Sequence, residues 1–244
     1  MPAASPRRKA SASPVAAAPP VAAPQTVLRI SSRNYSSWSM RGFLLLRLSG
    51  LPFRVVVASP DDPSTRAELL NNSSSILLPC LEQDGGIEIW DTLGIAEHLN
   101  ETVPEARLLP ENRIARARCR AISGEMHAGF HALRSSLPFN VRARIPGFTV
   151  WSAARADLER IFWLWRDCLE QWGGPWLFGA RPTVADAMYA PVVLRCRSYG
   201  VALDAACERY AQMIEAWPDV REWVAAALAE PEQQIAELEL DAEF

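Results

Sequence analysis

The feature that most constrains this 244-residue chain is a change of period at about residue 110. From Thr26 to about Val103 short apolar runs alternate with helical stretches, whereas beyond Pro110 strand signals vanish and long amphipathic helices take over. Short strands need a sheet, and helices with one apolar stripe need one another. The order therefore predicts a small α/β domain followed by an all-α one. In the first half "TVLRIS" reads as a strand, Met40 to Leu48 as a helix and "PFRVVVAS" as a second strand. After the irregular stretch "AELLNNSSS", "LLPCLEQDGGIEIWD" holds two apolar runs around Asp84-Gly85-Gly86, a hairpin signal, and "TLGIAEHLN" is a helix. In the second half, Leu158, Ile161, Phe162, Trp165, Cys168, Leu169 and Trp172 recur at spacings of three and four, a buried stripe on a helix from Ser152 to Trp172. The expected boundaries are a first domain over 26–105, the linker "VPEARLLPEN", and a helical domain over 111–230, with a tail at 231–244.

The first 25 residues are almost wholly Ala, Pro, Ser and Val, a composition that predicts a disordered tail. Pro14, Pro19, Pro20 and Pro24 interrupt its apolar stretch, which argues against a secretory signal and favours a cytoplasmic protein. An organellar or twin-arginine address around Arg7-Arg8-Lys9 is the alternative. No stretch reaches the roughly 18 continuous apolar residues of a membrane helix. The formal charge is −3. Because the leader carries three cations and no acid, the remainder is more acidic still, which argues against nucleic acid as a partner. Five scattered cysteines without a Cys-x-x-Cys pair fit reduced thiols rather than disulfides or a zinc site. Glu125, His127 and His131 share a helix, but no further ligand pattern completes a metal site.

Several strings in this order resemble the glutathione transferase family from about Val27 to Ala227. They are "LPCL" with Pro79, "IWDTLGIAEHL" with Asp91 and Thr92, and "TVAD" from Thr183 to Asp186. The resemblance implies a thioredoxin-like α/β domain followed by an all-α domain, glutathione as cosubstrate, no metal, a homodimer and a small hydrophobic electrophile as second substrate. It implies a cis peptide bond before Pro79, so that the backbone of Leu78 meets the cysteinyl part of glutathione as a strand would. It also implies that Asp91 and Thr92, at a helix N-terminus, receive the ammonium and carboxylate of the γ-glutamyl end. Simple N-capping is the structural alternative for this pair. For Thr183 and Asp186 the capping box is the reading adopted.

Counted back from Gly50, "SSWS" (Ser36 to Ser39) falls where zeta-like members carry Ser-Ser-Cys-Ser, with Trp38 where zeta-like and beta-like members have cysteine. Ser36 then takes the place of the thiol-activating serine. Ser37, Tyr35 or a backbone N–H of the loop remain alternatives, and Ser37 or Ser39 is the expected N-cap. Asn34 could orient the loop. A free thiol has a pKa of ~8.5, and lowering it by about two units requires ~2.7 kcal/mol of preference for the thiolate. A hydroxyl donating to the charged sulfur contributes roughly 1.5–3 kcal/mol and a helix N-terminus ~0.3–2 kcal/mol. The family also implies that the helix "EMHAGFHALRSSLPFN" lines the cleft. Met126, His127, Phe130, His131 and Arg134 are then the candidate wall of the hydrophobic site, with partly exposed surface as the plain alternative. Cys80 fits a buried strand thiol better than a mixed-disulfide former. A binding protein that kept this scaffold without catalysis is the competing function.

Overall fold

The computed structural model describes residues 26–58 and 75–231. The expectations for the leader at 1–25, for nearly all of the tail at 231–244 and for most of "AELLNNSSS" lie outside these residues.

Four strands form one mixed sheet in the order β2-β1-β3-β4. β1 (Val27–Ile30) pairs in parallel with β2 (Arg54–Val57), and the crossover between them is the helix α1 (Ser37–Ser49). β3 (Cys80–Gln83) runs antiparallel to β1 and joins β4 (Ile87–Trp90) through the predicted turn, where Gly85 and Gly86 take φ of 88° and 79°. Positive φ at both positions is what a tight hairpin demands and glycine supplies. α2 (Thr92–Thr102) and a 3₁₀ turn (Pro104–Ala106) close this half. The rest is helical: α3 (Arg113–Ala128), α4 (His131–Ser136), α5 (Ser152–Trp172), α6 (Val184–Ser198), α7 (Ala205–Ala216) and α8 (Pro218–Ala229). No helix among the described residues is long and apolar enough to cross a membrane.

α1 is the central element. It packs on β1, α2, α6 and α8, and its buried residues run around the whole helix rather than along one stripe. Gly50 ends it with a left-handed φ of 71°. Two of the sequence expectations need correction. The helix starts at Ser37, and its N-cap is Ser36 rather than Ser37 or Ser39. The segment expected as one long helix, "EMHAGFHALRSSLPFN", breaks after Ala128, with Phe130 at φ 59° before α4. A Cβ on Gly129 would lie 2.7 Å from the carbonyl oxygen of Glu125, so the chain can turn there only with glycine.

The Thr183/Asp186 capping box is present at the start of α6, itself almost wholly buried. Asp186 Oδ2 accepts from the Thr183 N–H at 2.8 Å and hydroxyl at 2.9 Å, while Oδ1 accepts from the Leu177 N–H and the Tyr210 hydroxyl, each at 3.1 Å. Burial raises its carboxyl from 3.8 to about 6 in spite of these donors. The folded state therefore holds this proton more tightly than the unfolded chain does, and stability falls as pH rises from 3.8 to about 6. Asp186→Asn should cost ~1–3 kcal/mol at neutral pH by mispairing a donor set built for a carboxylate. In urea unfolding, the decline of stability across that pH window should flatten in the same variant.

Candidate active site

The turn between β1 and α1 carries Ser36. Its hydroxyl oxygen accepts the Ser39 N–H at 3.2 Å, and the hydroxyl proton has no acceptor among the described residues. Ser36 also donates its N–H to the Ser32 carbonyl at 3.1 Å, which fixes the turn. Ser37 belongs to the interior: it is fully buried, and its oxygen accepts from Arg41 Nη1 at 3.0 Å and Arg195 Nη2 at 3.3 Å. Tyr35 is half-buried and its N–H donates to the Ser32 hydroxyl oxygen. Asn34 does orient the loop, its Oδ1 accepting the Arg142 N–H and its carbonyl the Val141 N–H.

The Leu78-Pro79 peptide bond is cis, and Leu78 lies outside the strand ladder. A Cβ on Gly42 would fall 2.8 Å from Pro79 Cγ, so α1 and the proline meet only because position 42 lacks a side chain. Sequence reasoning missed Gly42, which looks like any helix-interior glycine until its neighbour is known. Asp91 caps α2 by accepting the Leu93 N–H at 2.8 Å. It does so at φ 78°, a region that L residues rarely adopt, which costs on the order of 1–3 kcal/mol and marks functional sites. Its second oxygen lies 2.5 Å from His127 Nε2. The His127 ring in turn sits 5.2 Å from that of Trp38, edge to face. Asp91, His127 and Trp38 thus join the N-terminus of α2 to that of α1. Thr92 is buried, and its hydroxyl oxygen has no hydrogen-bond partner among the described residues.

The expected wall is only partly assembled. Met126 is fully buried in the core, which removes it from the cleft. The break at Gly129 also disperses the stripe: His131 is exposed and bonded to the Ala128 carbonyl, and Phe130 is buried. Arg134 is buried with its guanidinium 5.5 Å from the Trp38 ring centroid, and the Arg41 guanidinium lies 4.4 Å from the same ring. Cys80, Glu82 and Glu88 place donor atoms within 4.8 Å of one another. However, Glu82 is paired with Arg29, and burial, followed by the charge of Glu88, pushes the Cys80 thiol up to about 12. A thiol held protonated is a poor nucleophile.

Residues 35–102 match the family model for the glutathione S-transferase N-terminal domain, and residues 124–226 that for the C-terminal domain. Maleylacetoacetate isomerase of Rhizobium meliloti is 30% identical over 195 residues, covering 75% of this chain and 86% of the relative. The chain belongs to the glutathione transferase family. Maleylacetoacetate isomerase of Pseudomonas aeruginosa is 26% identical over 208 residues, covering 82% of this chain and 89% of that one. The fold is shared with a glutathione transferase homolog from Burkholderia gl BGR1 with bound glutathione, at a TM-score of 0.62 and 23% identity over 84% of this chain and all of that one. It is also shared with maleylacetoacetate isomerase from Anaeromyxobacter dehalogenans bound to dicarboxyethyl glutathione and citrate, at a TM-score of 0.60 and 24% identity over 83% and 92% of the two chains.

Two outcomes follow from this geometry. Asp91→Ala should weaken glutathione binding by roughly 1.5–3 kcal/mol in calorimetric titration while the protein stays folded; unchanged affinity would leave Asp91 a cap alone. Gly42→Ala should lower stability by ~1–3 kcal/mol in denaturant unfolding, because the new methyl overlaps the Pro79 ring. The opposite sign, which alanine's helix propensity would give at an open position, would mean that the contact yields freely.

Proposed function

We propose that the protein conjugates the thiolate of glutathione to a small hydrophobic electrophile, with Ser36 donating its hydroxyl to the sulfur. The observation that carries this reading is the Ser36 hydroxyl itself, whose oxygen is held by the Ser39 N–H while its proton has no acceptor among the described residues. Accepting one hydrogen bond strengthens a hydroxyl as donor of another. Ser36 is 8% exposed and Ser37 is fully buried with Arg41 and Arg195 on its oxygen, which favours Ser36 of the two. Thr92 supports the glutathione end: its buried, unpartnered oxygen at the start of α2 suits a ligand carboxylate. The γ-glutamyl ammonium would meet Asp91, competing with His127, and the cysteinyl backbone would meet Leu78 beside Pro79. His127 and Arg134 both approach Trp38, and the second substrate would enter beside them. A homodimer and a cytoplasmic setting belong to this reading; the five buried, unpaired cysteines are in keeping with a reducing compartment.

A second reading, isomerisation of maleylacetoacetate, is favoured by the names of the relatives. Trp38 argues against it, since it stands where the zeta-like motif has cysteine.

Ser36→Ala should lower the rate of conjugation with an aryl halide and raise the apparent pKa of bound glutathione toward the free-thiol value of ~8.5, with little change in affinity at low pH. Ser37→Ala, the control, should cost ~1–3 kcal/mol of stability and leave the bound-thiol pKa alone. A shift in Ser37→Ala without one in Ser36→Ala would reverse the assignment. No glutathione binding at all by the wild type would favour a non-catalytic binding protein.

A further inference from the structure

The turn that carries Ser36 is gripped by a residue almost two hundred positions further along the chain. The Glu230 carboxylate, just beyond α8, accepts the Arg33 N–H at 2.9 and 3.0 Å, the Asn34 N–H at 3.2 Å and the Ser32 hydroxyl at 3.0 Å, with Arg33 Nη1 at 3.5 Å. Successive N–H groups facing one point make an anion-binding concavity, and here a side chain of the same protein fills it. Glu230 is itself held: its carbonyl and those of Ala227 and Leu228 accept from the Arg142 guanidinium. Trp223, about two turns earlier on α8, donates its ring N–H to the Arg33 carbonyl at 3.1 Å.

We propose that Glu230 is a positioning residue for the thiol-activating hydroxyl, acting through Ser32. The Ser32 hydroxyl donates to Glu230, and its oxygen accepts the N–H groups of Asn34 and Tyr35 at 3.0 and 3.2 Å. The Ser32 carbonyl accepts the Ser36 N–H. Loss of the carboxylate frees the Arg33 amide and the Ser32 hydroxyl, and leaves the Asn34 amide with the Ser32 oxygen as its acceptor, in a short turn with no ladder of its own. The direction of Ser36 then becomes one of several. The inference rests on the reading of Ser36 given above.

The test uses full-length protein carrying Glu230→Ala, Glu230→Gln, Ser36→Ala and the Ser36→Ala/Glu230→Ala pair. Hydrogen exchange at the Arg33 amide, whose acceptor among the described residues is Glu230 alone, should rise about tenfold or more in Glu230→Ala while the amides of Leu44 to Leu46 keep their protection. With glutathione and an aryl halide, kcat should fall about tenfold with KM for glutathione nearly unchanged, and Glu230→Gln, which keeps one acceptor oxygen, should lie between. In the Ser36→Ala background, Glu230→Ala should add nothing further. Unchanged exchange at Arg33 would overturn the grip, and an additive loss in the pair would overturn the action through Ser36. Failure of the serine reading registers separately, as a Ser36→Ala protein whose bound thiol titrates like the wild type's.

Discussion

The turn from Ser31 to Ser36 belongs to neither a sheet nor a helix, so its backbone groups must find partners elsewhere or go unpaired in a partly buried place. Ser32 and Ser39 satisfy some of them within the first half, and the second half of the chain supplies the rest. Val141 and Arg142 donate to Asn34, Trp223 donates to the Arg33 carbonyl, and Glu230 accepts the Arg33 and Asn34 amides. Without these partners from the helical half, the α/β half would have no fixed starting point for α1.

From that turn the constraint spreads along α1. The helix is buried on all sides, so its entry point fixes where Ser36, Trp38 and Gly42 lie. Gly42 admits Pro79, and Trp38 meets His127, which reaches Asp91. Elements distant in sequence therefore converge on the N-termini of α1 and α2, the ends at which a helix favours negative charge. A thiolate at one and a carboxylate at the other suit this arrangement.

The parts legible in the sequence were those decided by local chemistry. The hairpin glycines, the α5 stripe and the Thr183/Asp186 box each depend on residues within a few turns of one another. The Ser36 cap was not legible, because Ser36, Ser37 and Ser39 are all residues of a type that caps a helix. What separates them is partly remote: Arg41, one turn along the same helix, and Arg195, from α6, engage Ser37, and the cap falls to Ser36. The break at Gly129 was signalled by the glycine itself, but the polar and apolar spacing across it still matches one helix face. Glu230 and Gly42 gain their meaning only from partners distant in sequence, 196 residues away in the first case and just before β3 in the second.

On the reading proposed above, this site binds glutathione and holds its sulfur as thiolate. Calorimetric titration of the wild type with glutathione at neutral pH, in buffers of differing ionisation enthalpy, measures protons released on binding. A bound thiol pulled well below its free pKa of ~8.5 should release a proton, and S-methylglutathione should bind without doing so. Binding of glutathione with no proton release, or no binding at millimolar concentration, would contradict the account.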